Sequence, residues 1–191
     1  MEDAVIYPSG YHTNVGFFLA CFTEQDILIS DECNHASIID GLRLTKSKRT
    51  VYRHMDLDHL ESILKKSMHY RFRVIVTEGV FSMDGDVVPL QKIVDLKNKY
   101  KAVLFLDDCH GTAVIGKTGR GTPEYCNVSV SEIDALVSTM AKGFGGGMGG
   151  YTAGKSVLIN YLKKRSRTFV FSNSLSPPII GGALKCLEIF S

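Results

Sequence analysis

The sequence predicts an α/β fold in which a mostly parallel sheet is covered by helices on both faces. Short apolar runs rich in Val, Ile, Leu and Phe alternate with amphipathic segments along all 191 residues, without an internal repeat or a low-complexity linker. In one such segment Leu57, Leu60 and Leu64 share a face, and Asp58 and Lys65 point away from it, as expected of a helix that covers a sheet. Strands and helices in repeated alternation are typical of a parallel sheet.

The same patterns place the individual elements. Strands are predicted at residues 26–30, 49–53, 73–77, 102–107 and 135–139, with a further extended segment at 150–153. Helices are predicted at residues 13–22, 36–44, 57–68, 90–100, 156–165 and 178–190. Ligands in such folds lie at the carboxyl ends of the strands, so the residues that follow Thr77, Leu106 and Thr139 are the first candidates for a site.

Composition and charge exclude several classes of protein. With 45% hydrophobic and 22% charged residues, the chain is expected to form one globular domain rather than a disordered or fibrous structure. The net charge of +2 is too small to indicate nucleic-acid binding. The longest apolar run, residues 15–22, is far shorter than the roughly 20 residues of a membrane span, and no secretory signal pattern begins the chain, so we expect a cytosolic protein. Five widely spaced cysteines without a CxxC pair indicate reduced thiols rather than disulfides or a zinc site.

An acid and a histidine follow the predicted strand at 102–107, in the motif Asp107-Asp108-Cys109-His110-Gly111. An Asp at a strand end could hold a ring nitrogen in its protonated form, because a nearby carboxylate favours the charged state of a base. A turn with an Asp cap is an equally open reading of the motif. Metal binding by Asp107, Asp108 and His110 is less favoured, since no second ligand pair lies at a recognisable spacing.

Lys142 follows the next predicted strand and precedes the glycine-rich residues 143–150. Glycine allows the backbone to approach a ligand closely, and a lysine in a pocket can form an imine with an aldehyde. A single lysine is more often a solvated surface charge. Lys142 is therefore a candidate that needs support from other motifs.

Residues 149–156 match the nucleotide-binding P-loop pattern GxxxxGK[ST]. A P-loop needs an apolar strand directly before its first glycine, whereas residues 142–148 are a glycine-rich coil. An Asp-ended apolar run does exist upstream, at residues 103–108, so a nucleotide-binding protein stays an alternative.

Ser9-Gly10-Tyr11 precedes the first predicted helix. The free N–H groups at a helix N-terminus form a natural anion site, where a phosphate could bind. A plain helix entry capped by Ser9 is the other interpretation.

Taken together, several motifs resemble the α-oxoamine synthase family of fold-type I pyridoxal-phosphate enzymes. The motifs, in family order, are Asn34-His35-Ala36-Ser37, Thr77-Glu78-Gly79-Val80-Phe81-Ser82-Met83-Asp84-Gly85, Asp107-Asp108-Cys109-His110-Gly111, Gly119-Arg120-Gly121, Thr139-Met140-Ala141-Lys142 and Phe171-Ser172-Asn173-Ser174-Leu175. The resemblance runs along nearly the whole chain. It implies the large-domain core of a fold-type I enzyme, with pyridoxal 5'-phosphate as cofactor and an amino acid and an acyl-CoA as substrates.

Within the family, two activities fit the motifs. Residues 34–41, 149–152 and 165–175 most resemble members that condense glycine with acetyl-CoA to 2-amino-3-oxobutanoate and CoA. Residues 77–79 and 142–145 favour members that condense alanine with a pimeloyl thioester. The family's active site is shared across a homodimer, so the resemblance also implies a homodimer.

The resemblance assigns roles around the cofactor ring. Lys142 would form the Schiff base and later remove the α-proton of the amino acid. Asp107 would pair with the pyridinium nitrogen, and His110 would bond the ring oxygen, near Ser82. His35 would stack on the ring face.

A second group of residues would hold the cofactor phosphate. By the same resemblance, the amides of Gly10 and Tyr11 and the hydroxyl of Thr139 would bind it within the chain. Ser172 and Asn173 would reach the phosphate of the neighbouring subunit's cofactor.

The chain departs from the family's pattern in two small residues and in length. Ala141 and Cys109 stand where the family usually has glycine and serine or alanine, and neither change removes a role. Family members also carry an N-terminal arm and a C-terminal domain. We therefore expect residues 1–191 to be a large domain truncated at both ends, able to hold the cofactor with little turnover. A non-catalytic remnant that only folds or dimerises stays an alternative. In a eukaryote the compartment could be mitochondrial rather than cytoplasmic.

Overall fold

The computed structural model describes residues 1–145 and 147–190, so Gly146, within the predicted glycine-rich segment, and Ser191 lie outside the described residues. In the described part, seven strands form one sheet in the order β1-β7-β6-β5-β4-β2-β3. The strands are β1 (Asp3–Tyr7), β2 (Ile27–Asp31), β3 (Lys48–Tyr52), β4 (Arg73–Glu78), β5 (Val103–Asp107), β6 (Ala135–Thr139) and β7 (Gly150–Gly154).

Helices connect most of the strands. They are α1 (Gly10–Cys21), α2 (Ala36–Leu44), α3 (Leu57–Lys66), α4 (Leu90–Tyr100), α5 (Thr122–Tyr125), α6 (Ser156–Arg165), α7 (Arg167–Val170) and α8 (Pro177–Phe190), with a 3₁₀ turn at Val130–Glu132. Within the described ranges, no helix is both long and apolar enough to cross a membrane.

The sheet is mostly parallel, which confirms the predicted fold class. Strands β2 to β6 pair in parallel, and only β7 runs antiparallel, to both β6 and β1. Successive residues of β5 point to opposite faces. Leu104 and Leu106 pack in one apolar cluster with Leu60 of α3, whereas Phe105 packs in the other with Phe17 of α1. Both faces are thus buried under helices, as the sequence pattern predicts.

The largest difference from the sequence prediction is β1, which was not predicted. Its partner, β7, lies near the other end of the chain, with Asp3 opposite Gly154. Helix α1 also begins earlier than predicted, at Gly10, because the Ser9 side chain accepts the His12 N–H at 3.3 Å and caps the helix. Three short elements, α5, α7 and the 3₁₀ turn, had no periodic signal long enough to predict.

The start of α1 lies directly against β7. A Cβ on Gly150 would lie 2.5 Å from Thr13 Oγ1 and 2.8 Å from the Gly10 nitrogen, so only glycine allows this approach. The contact brings the first turn of α1 to the edge of the sheet where β4, β5 and β6 end.

Candidate active site

A cavity of about 190 Å³ opens where β4, β5 and β6 end, beside the first turn of α1. Among the residues that line it, the following are predicted site residues: Gly10, Tyr11, His35, Asp107, Thr139 and Lys142. The following lining residues are not among the predicted ones: Asn14, Ser37, Glu78 and Cys109. The structure therefore brings most of the predicted residues together at one strand-end cavity.

Lys142 lies at the mouth of the cavity, shortly after the end of β6. Its Nζ is 2.6 Å from Nε2 of His110, which follows the end of β5. Burial lowers the pKa of His110, and the positive charge of Lys142 lowers it further. The imidazole is therefore a neutral acceptor for the lysine, and the contact holds the amine at the cavity.

Asp107 is almost fully buried, with 4% of its surface exposed. Its Oδ2 accepts a hydrogen bond from Asn14 Nδ2 at 2.8 Å, and its Oδ1 accepts one from the Cys109 N–H at 3.0 Å. Both donors are neutral groups. The negative charge of Asp107 is thus available to a cationic group in the cavity, such as a protonated ring nitrogen.

His35 caps the N-terminus of α2 and is held at both its backbone and its ring. Its N–H donates to Glu78 Oε1 at 2.5 Å, and its Nδ1 accepts the Ser37 N–H at 3.1 Å. Nδ1 also lies 2.7 Å from Ser37 Oγ. These contacts leave Nε2 as the ring nitrogen without a partner in its own loop.

Glu78 ends β4 and is the register partner of Asp107 on β5, so both carboxylates face the cavity. Burial and, after it, the neighbouring charge of Asp107 raise the pKa of Glu78 to about 7, although the hydrogen bond from the His35 N–H acts to lower it. A strand-end position directly after Thr77 is the signal in the sequence that could have identified Glu78. Asn14 lies inside α1, where nothing in the sequence marks it. Ser37 belongs to the Asn34-His35-Ala36-Ser37 motif, but the motif alone gives it no role.

The predicted phosphate residues lie at the start of α1 and the end of β6. The first N–H groups of an α-helix have no acceptor within the helix, so those of Gly10 and Tyr11 suit an anion. The Thr139 hydroxyl donates to the Gly149 carbonyl at 2.8 Å and accepts the Ala141 N–H at 3.2 Å. These bonds fix the turn that leads to Lys142.

Four predicted residues do not line the cavity. One of them, His110, lies beside it in contact with Lys142. Ser82 is exposed in the turn that follows β4. Ser172 and Asn173 line a different cavity, of about 320 Å³, beside Tyr7 and Phe169. Their predicted role concerns the neighbouring subunit's cofactor, and it stays a prediction.

Asp108 points away from the cavity. Its carboxylate accepts hydrogen bonds from the Thr122 hydroxyl at 2.5 Å, the Thr122 N–H at 3.2 Å and the Thr112 hydroxyl at 2.8 Å. Burial raises the pKa of Asp108 to about 6, against the effect of these hydrogen bonds. The sequence allowed two interpretations of this motif, an acid that binds a ligand and an acid that caps a turn. The structure contains both, because Asp107 faces the cavity and Asp108 caps the turn.

The P-loop alternative is wrong. Residues 150–154 form the strand β7, paired on both edges, and a strand cannot wrap its N–H groups around a phosphate. At the start of α6 the Ser156 N–H donates instead to Glu2 Oε2 at 2.9 Å.

One group of possible metal ligands lies at the ends of β2 and β3. Donor atoms of Asp31, Cys33 and His54 lie within 4.8 Å of one another. Asp31 Oδ1 accepts from His54 Nδ1 at 2.8 Å and from the Cys33 N–H at 2.9 Å, and Oδ2 accepts the Met55 N–H at 3.1 Å. These hydrogen bonds account for the arrangement as a structural one.

Comparison with known proteins identifies the family of this chain. The model of the family "Aminotransferase class I and II" matches residues 1–186. The chain therefore belongs to the aminotransferase class I and II family.

Three individual relatives indicate which branch of the family the chain resembles. The mitochondrial 2-amino-3-ketobutyrate coenzyme A ligase of Homo sapiens is 47% identical over 98% of this chain and 45% of its own length. The 8-amino-7-oxononanoate synthase 1 of Bacillus velezensis is 47% identical over 98% of this chain and 48% of its own length. The structure of Sphingomonas wittichii serine palmitoyltransferase matches with a TM-score of 0.93 and 30% identity, covering 100% of this chain and 47% of that one. The chain spans about half the length of these relatives, and the resemblance to α-oxoamine synthases is confirmed.

Proposed function

We propose that residues 1–191 form the cofactor-binding large domain of a pyridoxal-phosphate-dependent C-acyltransferase. The reaction proposed is the condensation of glycine with acetyl-CoA to 2-amino-3-oxobutanoate and CoA. The observation that carries the proposal is the meeting of Lys142, Asp107 and His35 at one strand-end cavity. Within the family that the chain belongs to, such a cavity is where an amine and a carboxylate would hold the two ends of the pyridoxal ring.

The cavity fits the cofactor on three observations. Asp107 is buried, and its hydrogen-bond donors among the described residues are neutral groups, which suits a ring nitrogen that carries a proton. Asn14 Oδ1 is buried and, within the described part of the chain, has no hydrogen-bond partner, so it can accept from a bound group. The first turn of α1 offers Gly10 and Tyr11 N–H groups to a phosphate.

The chain's own residues then have defined tasks. When bound, pyridoxal phosphate supplies an electron-withdrawing ring that stabilises negative charge on the α-carbon of an amino acid. Asp107 would keep a positive charge on the ring nitrogen, and its burial would strengthen that interaction. Lys142 Nζ, which His110 Nε2 holds at the cavity, would anchor the cofactor and would be the base that takes the α-proton of the amino acid. His35 closes the cavity from the side of α2.

A second substrate pair, alanine with a pimeloyl thioester, is favoured by one observation. The 8-amino-7-oxononanoate synthase of Bacillus velezensis is as similar to this chain as the human 2-amino-3-ketobutyrate coenzyme A ligase, at 47% identity each. Both pairs use an amino acid and an acyl thioester, so the reaction class is the same.

The proposed protein is a homodimer in the cytoplasm. Ser172 and Asn173 line a different cavity from Lys142, which supports a role for them in a neighbouring subunit's site. If the chain is eukaryotic, a mitochondrial compartment is the alternative, as the name of the human relative says of that protein.

Cofactor binding by matched lysine variants tests the proposal. The chain mixed with pyridoxal phosphate should absorb visible light as a bound imine, Lys142→Ala should lose this band, and Lys155→Ala, on the P-loop-like segment, should keep it. A Lys142→Ala protein that keeps the band would contradict the assignment. Glycine with acetyl-CoA and alanine with pimeloyl-CoA, compared by the rate of α-proton exchange in D₂O and of CoA release, then decide between the two substrate pairs.

A further inference from the structure

A buried chain of hydrogen bonds joins Asp107 to the ring of His35. Asn14 Nδ2 donates to Asp107 Oδ2 at 2.8 Å and to Ser37 Oγ at 2.9 Å. Asn14 and Ser37 are 1% and 2% exposed, so water cannot replace these bonds. Both hydrogens of the Asn14 amide are therefore used, one toward each neighbour.

The direction of these bonds determines where the His35 ring carries its proton. The Ser37 backbone N–H can only donate, and it donates to His35 Nδ1 at 3.1 Å. Because Ser37 Oγ accepts from Asn14, its own hydrogen is free to point to Nδ1, 2.7 Å away. Nδ1 thus accepts twice and has no proton, which leaves the ring proton on Nε2.

Glu78, at the end of β4, holds the backbone of His35. Its Oε1 accepts the His35 backbone N–H at 2.5 Å, and it stands beside Asp107 as the register partner on the next strand. His35 is consequently held at two atoms, its backbone nitrogen by Glu78 of β4 and its Nδ1 by Ser37 of α2. Asn14 of α1 acts through the Ser37 hydroxyl. Residues whose hydrogen bonds orient a neighbour in this way commonly set its tautomer as well as its position.

We propose that Asn14, Ser37 and Glu78 are positioning residues that fix His35 in its Nε2-protonated tautomer against the cofactor cavity and tie it to Asp107. The proposal rests on the proposed function for its purpose, since a fixed ring face matters only where a planar cofactor lies against it. The tautomer itself is a property of the chain without cofactor. The tautomer and the effect on cofactor binding can therefore be measured independently.

The first measurement is ¹H–¹⁵N NMR of the histidine side chains in the cofactor-free chain, with His35→Gln to assign the signals. We expect His35 to show an unprotonated Nδ1 and a protonated Nε2. His54 is an internal contrast, because its Nδ1 lies 2.8 Å from the Asp31 carboxylate and should carry a proton. A protonated His35 Nδ1 would overturn the proposal, whatever the outcome for the cofactor.

The second measurement is the affinity for pyridoxal phosphate, together with the pH dependence of the bound cofactor's absorbance. Ser37→Ala should weaken binding about tenfold and shift the pH profile, because one hydrogen bond of the network is lost. Ser37→Thr keeps the hydroxyl and should restore both properties. Ser62→Ala, whose hydroxyl bonds the His59 carbonyl outside the cavity, is the matched control and should leave them unchanged. Ser37→Ala with the affinity and pH profile of the unmodified chain would contradict the proposal.

Glu32 provides a matched control for the effect of Glu78 on cofactor binding. Glu32 Oε1 accepts the His54 N–H at 2.7 Å, the same kind of bond as Glu78 makes to His35, but it lies outside the cavity. Glu78→Ala should weaken cofactor binding about tenfold, and Glu32→Ala should not. Equal effects of the two would reduce Glu78 to a structural residue and reject its positioning role. If the unmodified chain bound no pyridoxal phosphate at Lys142, the proposed function would be wrong. The NMR measurement would still show whether the hydrogen bonds fix the His35 tautomer.

Discussion

Asp107 and Asp108 are neighbours in sequence at the end of β5, yet they have opposite surroundings. Asp107 faces a cavity and is bonded by two neutral donors, from Asn14 and Cys109. Asp108 faces the other side and is enclosed by the hydroxyl and amide donors of Thr112 and Thr122. The pleat of the strand and the turn after it send the two carboxylates apart. A pair of acids at a strand end can thus contain one residue for a ligand and one for the fold.

The space around the two carboxylates differs as well. A Cβ added at Gly79, Gly111 or Gly121 would collide with the Asp108 carboxylate, so the backbone itself seals that side. A Cβ added at Gly10, on the cavity side near Asp107, would meet only ordinary contacts of 3.7 Å and longer. Only the Asp107 side has room for a bound group.

The largest effect on chemistry is expected at Asp107. Asp107→Asn keeps the shape and an acceptor for Asn14 but removes the charge that holds the ring nitrogen protonated. Exchange of the glycine α-proton should fall by about 10²-fold or more, while the free energy of unfolding changes by no more than about 1 kcal/mol. NMR in D₂O and urea unfolding measure the two quantities. An unchanged rate of α-proton exchange would show that Asp107 has no role at the cofactor's ring nitrogen.

The largest effect on stability is expected at Asp108. Asp108→Ala leaves the donors of Thr112 and Thr122 buried without an acceptor, which costs about 3 kcal/mol at pH 5. Because burial raises the folded-state pKa of Asp108 to about 6, its stabilising contribution declines as pH rises through that value, so the loss should be smaller at pH 8. Urea unfolding at both pH values checks this. A loss below 1 kcal/mol at pH 5 would refute the structural role.

A smaller effect is expected at Glu78, and it depends on pH. Since the folded-state pKa of Glu78 is raised to about 7, its ionisation destabilises the fold as pH rises from the unfolded value of 4.5 through 7. Glu78→Gln removes this ionisation, so its stability relative to the unmodified chain should improve by about 2 kcal/mol between pH 5 and pH 8. A difference independent of pH would show that Glu78 is already ionised at pH 5.

The sequence predicted most of the sheet, and the reason lies in local patterns. The buried strand Ala135–Thr139 and the amphipathic helix Leu90–Tyr100 follow their apolar patterns and have the predicted bounds. Strand Asp3–Tyr7 contains the short apolar run Ala4-Val5-Ile6-Tyr7, which ends at Pro8, and the prediction missed it. Its place beside β7, far away in the sequence, is set by tertiary pairing that a local pattern does not reveal.

The residues of the candidate site also differ in whether the sequence could predict them. Asp107 ends a strand and Lys142 follows another, and the apolar patterns of both strands predict them, so the fold class alone puts both residues at one edge of the sheet. Asn14 and Ser37 meet only because α1 packs against α2 on the same face of the sheet, and neither residue type marks a site within a helix. Their place in the network is therefore a product of packing.

The most direct test of the central claim is to locate the lysine that bonds the cofactor. The chain should be loaded with pyridoxal phosphate, reduced with borohydride, digested and analysed by mass spectrometry. We expect a pyridoxyl group on Lys142 and none on Lys155, the lysine of the P-loop-like segment. Labelling confined to any lysine other than Lys142, or no stable adduct at saturating cofactor, would contradict it.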